Sequence, residues 1–386
     1  QVVDTTLTDF GFRYYAFDRD TGFSLNGENM KLQGVCMHHD QGALGAASNY
    51  YAVERQMRIM KEMGANAIRV SHNPASERLL EICDKLGLLV INEAFDTWTN
   101  PKNGNVNDFS KYFRESIDED NKIINGNSNM TWGEFEARTM VKSSKNSPSV
   151  IMWSIGNEVL EGIGGNSSDY TDIAQDIITW IKSEDSTRPV TIGDNRTKNG
   201  DSNANAISEV VNKNDGIVGF NYANENQFNT QRNNHPDWIL YGSETSSAVH
   251  SRGYNKTKGI EHAKNQISEY DNDSTKVGWG HSASNAWKYT IKNDYNAGEF
   301  VWTGFDYIGE PTPWNGVNPG QVNGGKGPAP KSSYFGIVDT AGFEKDIYYL
   351  YQSQWNKDVN TLHVLPTWNK EDICILYTSP SPRETE

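Results

Sequence analysis

Residues 147–159 read SPSVIMWSIGNEV, an unbroken apolar run, Val150-Ile151-Met152-Trp153, followed within four residues by an Asn-Glu pair. A run of that length without polar alternation is what a strand covered on both faces requires, as in a parallel sheet flanked by helices. Its polar end is then a strand tip, where the chain leaves the core and side chains reach a surface.

Working outward, the same signal recurs. Lys31–Cys36, Ala67–Val70 and Leu88–Ile91 precede the run, and Pro189–Ile192, Gly216–Phe220, Ile239–Tyr241 and Phe300–Trp302 follow it. Between the first strands, Val53, Met57, Met60 and Met63 form a helical stripe that stops at Gly64, and Leu79, Leu80, Cys83 and Leu86 form another closed by Gly87. A further helical pattern lies near residues 168–183. Eight buried strands with helices between several of them predict an α/β protein built as a (β/α)8 TIM barrel. Residues 10–28 read as extended chain with a turn at Asp20-Thr21-Gly22, and polar stretches near 99–131, 194–215, 252–285 and 310–333 read as long connections after strands.

Bulk properties narrow the function. The net charge of -15 repels a phosphate backbone or an anionic bilayer surface, so neither nucleic acid nor membrane is an expected partner. No run of about 18 apolar residues occurs, which predicts a soluble protein. Cys36, Cys83 and Cys374 are distant and odd in number, giving neither a disulfide framework nor a zinc pattern. The compartment is left open, and an oligomer is compatible with everything here. Gln1 is no initiator, and the Ser/Pro/Thr-rich end CILYTSPSPRETE reads as foreign to the fold.

A barrel of this type carries its chemistry at the carboxyl ends of its strands. Those ends hold His38, His39 and Asp40; Arg69 and His72; Asn92, Glu93, Asp96 and Trp98; Asn157 and Glu158; Asn221 and Tyr222; Ser243 and Glu244; and Trp302, Asp306 and Trp314. Carboxylates, amides and indoles on one rim suit a sugar, whose hydroxyls need hydrogen-bonding groups and whose C–H face stacks on aromatic rings. Glu158 and Glu244, on the fourth and seventh strands, can face each other across the mouth. Retaining glycoside hydrolysis needs two carboxyl groups about 5–5.5 Å apart. Glu244 would attack the anomeric carbon, and Glu158, its pKa raised by that neighbouring charge, would protonate the leaving oxygen and later deprotonate water. Asn157 is placed to bond the sugar 2-hydroxyl.

The segments GVCMHHDQGALG, NAIRVSHNP, LGLLVINEAFDTW, SPSVIMWSIGNEV, ILYGSETSS and GEFVWTGFDYIGEPTPW resemble, in order, the catalytic domain of glycoside hydrolase family 2, across about residues 30–356. This is the group of β-galactosidases, β-glucuronidases and β-mannosidases. The resemblance implies a (β/α)8 barrel with Glu158 as acid/base and Glu244 as nucleophile. It also implies that His38, His72, Asn157, Tyr222 and Trp302 line the sugar subsite, with Arg69 and Tyr222 steadying the nucleophile. Arg69, Asp96 and Trp314 join them as expected substrate-binding residues, Asp96 for a hydroxyl of galactose. Residues 1–29 would then close an immunoglobulin-like β-sandwich domain, 30–360 form the barrel, and 361–386 begin a following segment. The large β-galactosidases place Glu-x-His after the third strand to hold magnesium. This chain has Ala94-Phe95-Asp96-Thr97-Trp98, so no metal and no cofactor is expected. An Asn-x-Lys that holds a uronate in the glucuronidases is also lacking, since only Asn323 to Lys326 comes near it, which favours a neutral sugar.

Plainer readings accompany each residue. Either glutamate alone fits a helix cap, Arg69 and His72 could satisfy buried backbone, and the tryptophans could be packing. The His38-His39 pair invites a metal, but neighbours on a strand point to opposite faces. The function expected is an exo-acting, retaining β-galactosidase. A β-glucuronidase or galacturonidase of the same family is the nearest alternative, and a catalytically silent carbohydrate-binding barrel the alternative from another class.

Overall fold

A computed structural model describes residues 2–7, 10–102, 105, 107–117, 129–161, 169–252, 276–310 and 332–364. Its centre is a closed barrel of eight parallel strands in sequence order: β4 (Leu32–Met37), β5 (Ala67–Val70), β6 (Leu89–Glu93), β7 (Val150–Asn157), β8 (Val190–Asp194), β9 (Ile217–Asn221), β10 (Leu240–Ser246) and β11 (Asn296–Trp302). All eight overlap the apolar runs of the sequence. Burial on both faces is why those runs lack polar alternation: every residue of β7 is buried.

The two faces nevertheless have separate tasks. Val35, Ile68, Val70, Val90, Val190 and Ile192 belong to a cluster shared with the surrounding helices. Cys36, Ala67, Leu89, Ile91, Ile217, Tyr241 and Phe300 pack with one another in a second cluster inside the barrel. The alternation along β5 is Ala67 in, Ile68 out, and it sends the Arg69 side chain inward. At Gly34 on β4 a Cβ would lie 2.3 Å from a Phe300 ring carbon, so the bulk of that ring depends on glycine opposite it.

Helices α1 (Tyr50–Met63) and α2 (Glu77–Leu86) begin at Asn49 and Ser76, whose side chains accept the backbone N–H of Ala52 and Leu79. They end at Gly64 and Gly87 in the left-handed conformation that the sequence pattern required there. The remaining helices are α3 (Trp132–Ser144), α4 (Tyr170–Glu184), α5 (Ser202–Lys213), α6 (Glu225–Asn234), α7 (Ala283–Ile291) and α8 (Asp346–Trp355). The expected polar connection over 194–215 is corrected by α5, whose Asp201 cap and buried Ala204, Ile207, Ser208 and Val211 make it an amphipathic helix.

Beneath the barrel lies a three-stranded antiparallel meander, β1 (Tyr15–Asp18), β2 (Gly22–Leu25) and β3 (Glu28–Met30), with its first turn at the expected Asp20-Thr21. Phe23 is buried against Leu32, Ile151, Ile217 and Phe300. Arg13 and Tyr15 donate to the carbonyls of Val150 and Ile151 at 2.8 and 2.9 Å. The meander thus closes the amino-terminal floor, leaving the opposite mouth open. Among the described residues no helix is long and apolar enough to cross a membrane.

Candidate active site

Above the apolar barrel interior sits a polar layer contributed by strand ends. Arg69 from β5, with no exposed surface, is its hub. Its guanidinium donates to Glu93 Oε2 through Nε at 3.1 Å and Nη2 at 2.7 Å, to Glu244 Oε1 through Nη1 at 2.8 Å, and to Asn157 Oδ1 at 3.0 Å. Burial opposes the charge on Arg69, but the carboxylates of Glu93 and Glu244 more than restore it. For Glu93 too, burial alone would favour the neutral acid. Arg69, with hydrogen bonds from His72 and Ser154, overrides it and holds Glu93 down to about 2. Glu93 Oε1 lies 2.6 Å from His72 Nδ1, which fixes the imidazole so that Nε2 faces Asn157 Nδ2 at 3.3 Å.

Glu244 stands on β10 where the register with β9 slips between Gly242 and Glu244, a bulge that re-aims the side chain. Its second oxygen accepts the Tyr222 hydroxyl at 2.5 Å, and its backbone carbonyl accepts the Tyr222 N–H at 2.7 Å. Glu244 is therefore held in place by two donors, one to each oxygen. Glu158, just beyond the end of β7, has different surroundings. Its side chain accepts one amide hydrogen, from Asn221 Nδ2 at 2.8 Å. Burial first, and then the charge of Glu244, raise it to about 7, against the opposing charge of Lys102. The two carboxyl groups thus line one cleft in different surroundings.

That cleft, of about 1290 Å³, opens at the carboxyl end of the barrel. It brings together Glu158, Glu244, His38, His72, Asp96, Asn157, Tyr222 and Trp302. The ring of Trp302 stacks on His72, centroids 5.2 Å apart and planes 7° apart, and meets His38 edge-on at 5.1 Å. Burial pushes His38 down to about 3, so this imidazole is neutral and offers hydrogen bonds without charge. Asp96 lies at the edge, its side chain 45% exposed and paired with Lys102 at 2.6 Å.

One expectation is corrected. Arg69 was expected among the substrate-binding residues as well as steadying the nucleophile; it bonds Glu244, but with no exposed surface it reaches a ligand only through Glu244 and Asn157. His38 and His39 both border the cleft. Even so, among the described residues no group of three or more His, Cys, Asp or Glu side chains could hold a metal ion. Trp314 lies outside the described residues. Trp98 and Asp306 serve packing: Trp98 Nε1 donates to the Ile155 carbonyl at 2.8 Å, and Asp306 pairs with Lys345 at 2.7 Å.

Several residues in the cleft or in the buried layer beneath it escaped the sequence pattern. Asn221 and Glu93 were visible as strand ends but carried no motif by themselves. Lys102 and Lys198 sit in Asn-rich connections with no periodic signal. Lys102 Nζ caps the Asn157 carbonyl at 2.9 Å, and Lys198 Nζ the Asn221 carbonyl at 2.5 Å.

Comparison with known proteins agrees with the barrel fold. The sequence model of the glycosyl hydrolases family 2 TIM barrel domain matches residues 18–334. The beta-galactosidase BoGH2A of Bacteroides ovatus is 37% identical over 96% of this chain and 44% of that protein. A putative beta-glucuronidase of Formosa agariphila is 31% identical over 95% of this chain and 33% of that protein. The crystal structure of a beta-glycosidase from Bacteroides vulgatus aligns with a TM-score of 0.67 at 28% identity, over 90% of this chain and 42% of that one. The chain thus spans less than half the length of these relatives.

Proposed function

The chain belongs to glycosyl hydrolase family 2, and from that premise we propose that its barrel is a retaining exo-β-glycosidase releasing terminal β-linked galactose. The observation that carries the reading is the unequal treatment of two carboxyl groups in one cleft. Glu244 is fixed by Arg69 and Tyr222, whereas Glu158 is raised to about 7. Glu244 is suited to attack the anomeric carbon, since its donors orient both oxygens. Glu158 is suited to give its proton to the departing oxygen. When Glu244 becomes an ester its charge disappears, the pKa of Glu158 falls, and the same carboxylate takes a proton from the incoming water.

The other residues divide by position. Asn157, its Oδ1 fixed by Arg69 and Asn221, presents its amide to the sugar 2-hydroxyl. His38, His72 and Trp302 wall the glycone, and Asp96 takes an outer hydroxyl. Division of the chain into a lead-in over 1–29, the barrel over 30–360 and a following segment over 361–386 accompanies this reading.

Galactose is favoured by the 37% identity to a beta-galactosidase. A uronide-cleaving reading draws support from relatives named beta-glucuronidases at 31% and 28% identity. Nitrophenyl galactoside against the corresponding uronides separates the two. The mechanism is tested by trapping with a 2-fluoro galactoside and mapping the labelled peptide. Label on Glu244 is expected, and label elsewhere removes the assignment of the nucleophile.

A further inference from the structure

We propose that Lys198 anchors an aglycone subsite for an acidic sugar, donating hydrogen bonds to a carboxylate or sulfate on the leaving group. The proposal rests on the roles given above to Glu158 and Glu244, because they fix which side of the cleft the leaving group occupies. In the closed order of strands, β7 and β10 divide the mouth into two arcs. The wider arc, β11, β4, β5 and β6, carries Trp302, His38, His72 and Asp96, the glycone wall. The narrower arc, β8 and β9, carries Asn195, Lys198 and Asn224. A glycone seated in the wide arc with Glu158 at its leaving oxygen turns the aglycone toward the narrow one.

Three lysines line the cleft among the described residues, and their states differ. Lys276 is exposed at the rim. Lys102 is occupied: it pairs with Asp96 at 2.6 Å and donates to the carbonyls of Asp96 and Asn157. Lys198 is 91% buried, yet among the described residues its ammonium has one acceptor, the Asn221 carbonyl, and no ion pair. A lysine ammonium carries three donors. Burying one with donors unfilled is costly unless something that visits the site fills them. The ammonium also lies 5.5 Å from the centroid of the Tyr222 ring, which holds the charge beside the catalytic pair.

The neighbouring wall is likewise incomplete. Asn195 spends its amide on Glu161 Oε1 at 2.8 Å, while its own Oδ1 is buried without a hydrogen-bond partner among the described residues. A donor and an acceptor both unfilled on one wall match a ring that carries hydroxyls as well as an anionic group.

The test measures binding with turnover removed. Glu244→Gln protein, with and without Lys198→Gln, is titrated by calorimetry with three β-galactosyl disaccharides that differ in the reducing-end residue: glucose, glucuronic acid, or sulfated glucose. With Lys198 present, at least one anionic disaccharide is expected to bind about tenfold tighter than the neutral one, as a charge-assisted hydrogen bond implies. Which anion gains identifies the group. Lys198→Gln is expected to abolish that preference while changing neutral affinity no more than about twofold. Equal affinities with Lys198 in place, a preference that survives its removal, or no binding of any disaccharide would overturn the subsite. Turnover of nitrophenyl galactoside by the parent protein is followed in parallel, so failure of the hydrolase reading is seen separately.

Discussion

The sharpest consequence of the paired carboxyl groups is that replacing one must retitrate the other. Glu244→Gln keeps the size of the side chain and removes its charge. Raising Glu158 from 4.5 to about 7 corresponds to roughly 3 kcal/mol of added ionisation cost. Two unit charges about 5.5 Å apart at an effective dielectric of about 20 repel by roughly 3 kcal/mol. Burial contributes more still, and Lys102 and the Asn221 amide return part of the sum. Water in an open cleft screens the repulsion, so Glu244→Gln should lower the Glu158 pKa by about 1 to 2, leaving burial to hold it above the ordinary value. The assay is the carboxyl carbon resonance of 13C-labelled glutamate followed from pH 4 to 9, with the signal assigned through Glu158→Gln (a range set by ordinary carboxyl titration, about 4, and the raised value, about 7). In the parent protein the matching activity profile loses its alkaline limb through about 7, because the acid must be protonated. A Glu158 titration that stays put or rises when the neighbouring charge is removed would refute the pairing.

Three further outcomes are expected. Arg69→Met strands Glu93 and Glu244 without their cation and should destabilise the fold by about 3–5 kcal/mol in urea unfolding. Since Glu93 is held down to about 2, its stabilisation exists above the unfolded value and is lost as pH falls through the folded one. The deficit should therefore shrink between about pH 5 and 2, and a pH-independent deficit would contradict the ion pair as its source. Tyr222→Phe deletes the 2.5 Å bond to Glu244 and should cut kcat by about 10- to 100-fold on a nitrophenyl galactoside, the range of a hydrogen bond to a charged group; an unchanged kcat would show that Arg69 suffices. Gly34→Ala drives a methyl against the Phe300 ring and should cost about 1–3 kcal/mol by the same unfolding assay, with no loss meaning that the ring can move aside.

The barrel was legible because burial on both faces erases alternation, and eight apolar runs are hard to produce otherwise. What stayed hidden has physical reasons. The strand signal of β11 starts at Phe300, four residues late, because its first half contains Glu299. Burial there raises the acid to about 8, so it stays protonated and shares a hydrogen bond with Thr245 at 2.8 Å. A formally charged letter in the sequence is a neutral group in the core. Helix α6 buries little beyond Phe228 and Gln231, so it shows no apolar stripe, although its Asn224–Gln227 capping box was there to be read. At the site, strand ends named the right side chains but not their depth. Arg69 lies in β5 and His72 just beyond its end, and only packing decides that the first lies beneath the floor while the second faces the cleft.

Local preference and tertiary demand conflict at the catalytic end in a way that bears on why the site is where it is. Six described non-glycine residues have positive φ, and two of them, Asn26 and Asp215, are turn residues of types that tolerate it. The other four are Glu158 (45°), Tyr222 (60°), Ser246 (63°) and Ser247 (62°), at the tips of β7, β9 and β10. Left-handed backbone at such residues costs on the order of 1–3 kcal/mol each, so the surroundings must over-determine it. They do: the Glu158 N–H is fixed on the Gly193 carbonyl at 2.8 Å, and the Tyr222 N–H on the Glu244 carbonyl at 2.7 Å. Neighbouring strands therefore impose the geometry from below. A strand that simply continued would carry its next side chain outward along the pleat; with the backbone left-handed at that step, Glu158 and Tyr222 line the same cleft as Glu244. The strain is thus tied to the convergence of the two acids, and a chain that relieved it would be expected to separate the groups whose mutual influence sets their protonation.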